Sequence, residues 1–140
     1  MIKVIYGKKG TGKTRFLVEN ANELAQNKYG DVVFINNTNQ IMYDLHRDVR
    51  LINVSEFPVE GEEWFIGFIC GVISQNYDIK WIFIDDISYI LKKEPDTLQE
   101  LFSKLKKIAH EFNVEFTISI CMEKENVPEF LNEYLVNEYV

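Results

Sequence analysis

The chain has 140 residues, 46% hydrophobic, 14% aromatic and 26% charged, with a formal net charge of −7 and a pI near 4.9. That length suits a single domain spanning residues 1–140, and the aromatic content excludes a disordered chain. The acidic balance opposes general attraction to nucleic acid or anionic lipid, and no stretch offers the roughly 18 apolar residues of a spanning helix.

The N-terminus runs directly into a strand without the layout of a signal peptide, so a cytoplasmic protein without membrane contact is expected, with nucleic acid an unfavoured partner. Ile2 to Tyr6 reads as the first strand. The next stretch places Leu17, Ala21, Leu24 and Ala25 on one helical face, and Gly30-Asp31 breaks it before a second strand, Val32 to Ile35. Asn37-Thr38-Asn39 is set to cap a short helix running to about His46, and Arg50 to Val54 to form a brief strand. Pro58 marks a loop, Ser55 to Gly61, ahead of the nearly all-apolar segment Trp64 to Ile73, which reads as a buried helix.

Lys80 to Ile84 is an apolar run that ends abruptly in two acids, as a central strand would if it delivered carboxylates to its C-terminal edge. The clearest helix follows: Asp96 as N-cap, Gln99 three residues on, and Leu98, Leu101, Phe102, Leu105, Ile108, Ala109 and Phe112 on one side. Val114 to Cys121 supplies another strand. Pro128 is placed to open a terminal helix, and Leu135 to Val140 offers a small edge strand. Strands alternating with helical segments predict a three-layer α/β/α fold around a mostly parallel sheet. Cys70 and Cys121 lie in apolar stretches without metal-ligand spacing and are expected as buried thiols. His46 and His110 have no partner at catalytic spacing. The lysines at 92–93 and 104–107 read as solvated faces.

Gly7-Lys8-Lys9-Gly10-Thr11-Gly12-Lys13-Thr14 fits the G-x-x-x-x-G-K-[ST] pattern at every specified position, between a strand and a helix. Glycines let successive N–H groups turn toward phosphate oxygens, and the following helix adds the positive end of its dipole. Lys13 has the reach for the β and γ phosphates, and the Thr14 hydroxyl is a ligand suited to Mg²⁺. Gly7 to Thr14 together with Arg15 form the candidate phosphate-binding set; Lys8 and Lys9 read as exposed charges that raise the local potential. Asp85 is placed to hold Mg²⁺. Asp86 reads either as the group that orients an attacking water or as the N-cap of a helix from Ile87 to Leu91.

With Gly7 to Thr14 as a Walker A element and Trp81 to Asp86 as a Walker B element, the sequence resembles the P-loop NTPase superfamily. The acidic doublet and the order of motifs are most similar to the division with an additional strand between the two motif strands, which includes AAA-type, RecA-like and pilus-retraction ATPases. The resemblance implies an ATP and Mg²⁺ cofactor pair, Lys13 and Thr14 at the phosphates and metal, Asp85 at Mg²⁺, and Asp86 where that division usually carries a catalytic Glu. It also implies a γ-phosphate sensor near the end of the fourth core strand, at Ser119 or Thr117, each of which reads equally as a buried hydroxyl bonded to backbone. No guanine-selecting Asn-Lys-x-Asp, ABC-type signature or His box is present, so the likeness extends to small stand-alone ATP-binding proteins and to no named subfamily.

These features lead to a small ATPase or ATP-dependent switch acting on a protein partner or as a homo-oligomer. A small-molecule or nucleoside kinase is the first alternative, disfavoured by a chain with only Arg15, Arg47 and Arg50. A nucleotide-binding module without turnover is the second.

Overall fold

The computed structural model describes residues 1–27 and 29–139. Six strands form one sheet: β1 (Ile2–Gly7), β2 (Asp31–Asn36), β3 (Val49–Asn53), β4 (Ile79–Ile84), β5 (Glu115–Cys121) and β6 (Leu135–Tyr139). Their spatial order is β3-β2-β4-β5-β1-β6, and every neighbouring pair is parallel. Four α-helices accompany them: α1 (Lys13–Asn27), α2 (Gly61–Gln75), α3 (Ile87–Leu91) and α4 (Gln99–Phe112).

Because side chains alternate across a strand, the central strands feed two cores. Val4, Ile82, Ile84 and Ile118 join α2, α3 and α4 on one face. Ile5, Phe34 and Phe83 join Leu17, Val18 and Ala21 of α1 on the other, where the Phe34 and Phe83 rings stack with centroids 5.9 Å apart. Each fully buried Phe or Ile contributes roughly 1.5–3 kcal/mol relative to exposure. Two apolar faces explain why the central strands read as unbroken hydrophobic runs. The order sets β5 between β1, which carries the glycine loop, and β4, which carries the acidic doublet. All three strands deliver their C-terminal ends to the same edge of the sheet.

Several segments depart from expectation, each for a local reason. No α-helix starts at Asn37: the Asn36 side chain accepts the Asn37 N–H at 2.7 Å and the Thr38 hydroxyl accepts that of Gln40 at 3.2 Å. These bonds hold a turn in competition with a helix, leaving one 3₁₀ turn at Met42–Asp44. Asp96 does not cap α4. It sits in a 3₁₀ turn, Pro95–Thr97, and Leu98 takes the cap position without a side-chain bond, fully buried in the core. Pro128 begins no helix beyond a single 3₁₀ turn, Glu129–Leu131, because buried Leu131 anchors the chain and returns it to the open edge of β1 as β6. Val140, expected at the end of that strand, lies outside the described residues.

The apolar helix is enclosed on one side alone. Phe65, Ile69 and Ile73 of α2 are buried, while Trp64 is 59% exposed and Gly67, Cys70 and Gly71 face outward. A single sheet face covers only one stripe of a helix, so residues about half a turn away stay open however apolar they are. Cys70 is therefore an exposed thiol and Cys121 a partly buried one, which corrects the expectation for both. The lysine clusters are partly neutralised, with Lys93 paired to Glu62, Lys104 to Glu100 and Lys106 to Glu133. No helix is long and apolar enough to cross a membrane among the described residues.

Candidate nucleotide-binding site

β1 ends at Gly7, where a Cβ would run into the carbonyl of Tyr139 on β6 and lie 2.9 Å from the Thr11 hydroxyl. Close approach of backbone requires this glycine. Gly10 and Gly12 are required for a different reason: with φ of +82° and +97° they occupy the left-handed region, although open space surrounds both. The Thr11 hydroxyl donates to the Lys8 carbonyl at 2.7 Å and closes the loop. α1 then starts, with the Phe16 N–H donating to Gly12 at 3.0 Å. No acidic residue occupies its first turn, so the positive end of the helix stays uncompensated by its own side chains.

Lys13 is buried, and its Nζ donates to the carbonyls of Gly7 at 2.9 Å and Lys8 at 2.7 Å. Two neutral acceptors take two of its three protons without neutralising its charge. The Gly7 carbonyl also accepts the Met122 N–H at 3.1 Å, so it keeps a partner whenever Lys13 turns to another acceptor.

Opposite the loop, β4 extends past Ile84 by one further bond, from the Asp85 N–H to the Ile35 carbonyl at 3.0 Å. This fixes the Asp85 carboxylate at the sheet edge, buried, with Oδ2 accepting the Thr14 hydroxyl at 2.8 Å and Oδ1 accepting the Ser119 hydroxyl at 2.7 Å. The Ser119 oxygen in turn accepts the Asp86 N–H at 2.7 Å. One buried serine thus ties β5 to both acids. Burial pushes the Asp85 carboxyl above the usual aspartate range, the neighbouring Asp86 charge adds to that, and the hydroxyls of Ser119 and Thr14 and the charge of Lys13 oppose it incompletely. Thr117, the other sensor candidate, is buried one pleat lower, in register with Phe83 of β4, and makes no bond to the acids among the described residues.

Asp86 adopts a left-handed conformation, φ +56°, and its Oδ1 accepts the Tyr89 N–H at 3.4 Å as the N-cap of α3. The capping expectation is met. Its second carboxylate oxygen leaves scope for the water-orienting role.

The outer part of the loop and the two acids line one cavity of about 1330 Å³, with Ser119 buried behind them. Lys9, Gly10, Gly12, Lys13 and Thr14 form one wall and Asp85 and Asp86 another. Arg15 lies at the rim, exposed and paired with Glu19 at 3.1 Å. Lys8 turns its side chain elsewhere, to Glu123 at 3.6 Å, and contributes its carbonyl. Asn36 and Cys121 also line the cavity, and neither stands out as a site residue from sequence. Burial, then the Asp86 charge, push the Cys121 thiol up, so it faces the site as a neutral group. The available signal for Asn36 is the one that reveals Asp85, a polar residue directly after an apolar strand.

The donor set fits Mg²⁺ held together with phosphate oxygens: a hydroxyl and a carboxylate, both hard oxygen ligands, sit 2.8 Å apart. Asp85 is a buried carboxylate whose charge its neighbours compensate incompletely, the condition a divalent cation would relieve.

No known sequence family and no curated protein matches the chain. Solved structures do. The flagellar accessory protein FlaH from Methanocaldococcus jannaschii superposes with a TM-score of 0.67 over 97% of this chain and 70% of that one, at 16% identity. A second solved structure, an ATPase domain, superposes with a TM-score of 0.62 over 89% of this chain and 58% of that one, at 13% identity. The fold is that of the P-loop NTPases. At these identities the likeness concerns the fold and leaves substrate and partners to the site itself.

Proposed function

We propose that this protein binds ATP with Mg²⁺ at the Gly7–Thr14 loop and hydrolyses it slowly, as a small ATPase or ATP-dependent switch acting on a protein partner or through self-association. The observation that carries the reading is the bond between Thr14 and Asp85, residues 71 positions apart in sequence yet joined at 2.8 Å beside a loop with two left-handed glycines. In this reading the free N–H groups from Gly10 to Thr14 and the Lys13 amine bind the phosphates, while Thr14 and Asp85 hold the metal. Bound Mg²⁺ would supply neutralisation of charge on the phosphoryl oxygens. Asp86 would orient the attacking water, and Ser119 would keep Asp85 and the Asp86 backbone in place. The order β4-β5-β1 supports assignment to the division with an additional strand.

The bond from Tyr89 to Asp86 supports a second reading, nucleotide binding without turnover. Calorimetric titration with ATP, with and without Mg²⁺, tests the first step: Mg²⁺-dependent binding is expected, and a parent protein that binds no nucleotide overturns both readings. Phosphate release at rising protein concentration, with and without candidate acceptors, then separates ATPase, kinase and silent binder. A rate per protein molecule that increases with concentration supports self-association, and one independent of concentration opposes it.

A further inference from the structure

We infer that Asn36 distinguishes nucleoside triphosphate from diphosphate, acting as a neutral hydrogen-bond donor to the terminal phosphate; this rests on the nucleotide-binding reading above. Asn36 ends β2, one residue beyond the Ile35–Ile84 pair, so the sheet sets it beside the tip of β4. It is 6% exposed and lines the cavity that Lys13, Thr14 and Asp85 share.

The orientation of its amide is fixed by its neighbour. The Asn37 N–H can only donate, so the atom 2.7 Å from it must be the carbonyl oxygen Oδ1, and Nδ2 is the atom left over. Among the described residues Nδ2 has no hydrogen-bond partner. The fully enclosed side-chain atoms without a partner among those residues are Glu62 Oε1 and Ser88 Oγ, so Nδ2 keeps an opening although the residue as a whole is nearly buried. Here the cavity is where its acceptor can come from.

The rest of the cavity defines that acceptor's chemistry. The loop and Lys13 supply positive potential at one end, and the two carboxylates exclude a free anion at the other unless a cation accompanies it. Asn36 stands on the β2–β4 side of the sheet, with β5 between β4 and the loop strand β1. It is therefore on the far side of Asp85 from the loop root, where the outermost phosphate of an extended chain would be held. An amide suits a group that changes charge during the nucleotide cycle: it donates to a phosphate oxygen without adding net charge, and it cannot take a proton from water. Asn36 is thus a positioning and specificity residue and no general base.

Asn36→Asp isolates the donor, because aspartate keeps the Oδ1 acceptor for Asn37 and nearly the same volume while replacing Nδ2 with an anionic oxygen. Affinities of parent and N36D for Mg²⁺-ATP and Mg²⁺-ADP are to be measured by calorimetry, with thermal melting of each apo protein. The expected result is ATP affinity lowered roughly ten- to hundredfold with ADP affinity within about threefold, and a lower melting temperature for apo N36D, which sets a third carboxylate beside Asp85 and Asp86. Asn36→Ala should shift ATP in the same direction but less, because it removes the donor without adding a repelling charge. Equal weakening of ATP and ADP, or an unchanged ATP preference in N36D, would overturn the assignment. Failure of the parent to bind either nucleotide would instead overturn the proposed function.

Discussion

The two walls of the cavity are built by different means. The loop from Gly7 to Thr14 is made of backbone: left-handed glycines, carbonyls that hold Lys13, and N–H groups left free at the start of α1. The opposite wall is made of side chains: Asp85 is joined through two short bonds to Thr14 of the loop and to Ser119 buried behind it, and Asp86 is tied in by a third. A backbone wall depends on a handful of consecutive residue types. A side-chain wall depends on strands brought together from across the chain, so its members tolerate substitution only as a set.

Mutation can test that contrast, beginning with the largest effect. Lys13→Ala removes the buried cation of the loop wall and should lower ATP affinity roughly a thousandfold, as expected for loss of more than one charge-assisted bond. Calorimetry checks this, and ATP binding at parental strength would mean the loop is a structural turn. Asp86→Asn keeps both the capping oxygen and a residue type at ease in the left-handed region. Nucleotide affinity should therefore survive while phosphate release falls about a hundredfold. A parental rate in this variant would leave Asp86 with capping alone.

Asp85→Asn should weaken Mg²⁺-ATP binding about tenfold and yet make the apo protein more stable near neutral pH, because it removes a buried, incompletely compensated charge. The sign follows from the raised carboxyl. A group whose pKa is higher folded than unfolded binds more protons in the folded state, so its contribution is present in acid and lost as pH rises from the ordinary aspartate range through the raised value. Melting temperatures of parent and variant should converge in acid and separate above that window, with the variant higher. A variant that melts lower at neutral pH would show that Asp85 is compensated after all. Ser119→Ala is the smallest change. Loss of its bonds to Asp85 and to the Asp86 N–H should cost about 1–3 kcal/mol in denaturant unfolding, with loop binding of ADP little altered.

The same contrast explains what the sequence discloses. The glycine loop is legible because each residue type answers a local demand, and α4 because one apolar stripe repeats at helical spacing. Asp85 is legible as an acid ending an apolar strand. That Ser119, and not Thr117, meets it depends on the register between β4 and β5, which no local pattern encodes. Asn36 ends its strand in the same way as Asp85, but the Asn-Thr-Asn run behind it has the composition of a helix cap and hides it. Its side chain spends its oxygen on the next residue's N–H, and the turn wins. Segment Trp64 to Ile73 is less enclosed than its letters suggest: composition gives hydrophobicity, whereas burial depends on how many neighbours surround the helix.

Gly7 touches Tyr139, and Tyr6 donates to Glu138 at 3.1 Å across 132 residues of sequence. The strand that leads into the phosphate loop is flanked by β5 and β6, both more than a hundred residues further along the chain. During synthesis the loop therefore emerges long before either flanking strand, and β1 waits with both edges unpaired. Such distant pairing slows folding and leaves open strand edges exposed in the meantime. On the proposed reading nucleotide could assist only late, because the root of the loop at Gly7 meets Cys121 and the Met122 N–H only once β5 has joined β1.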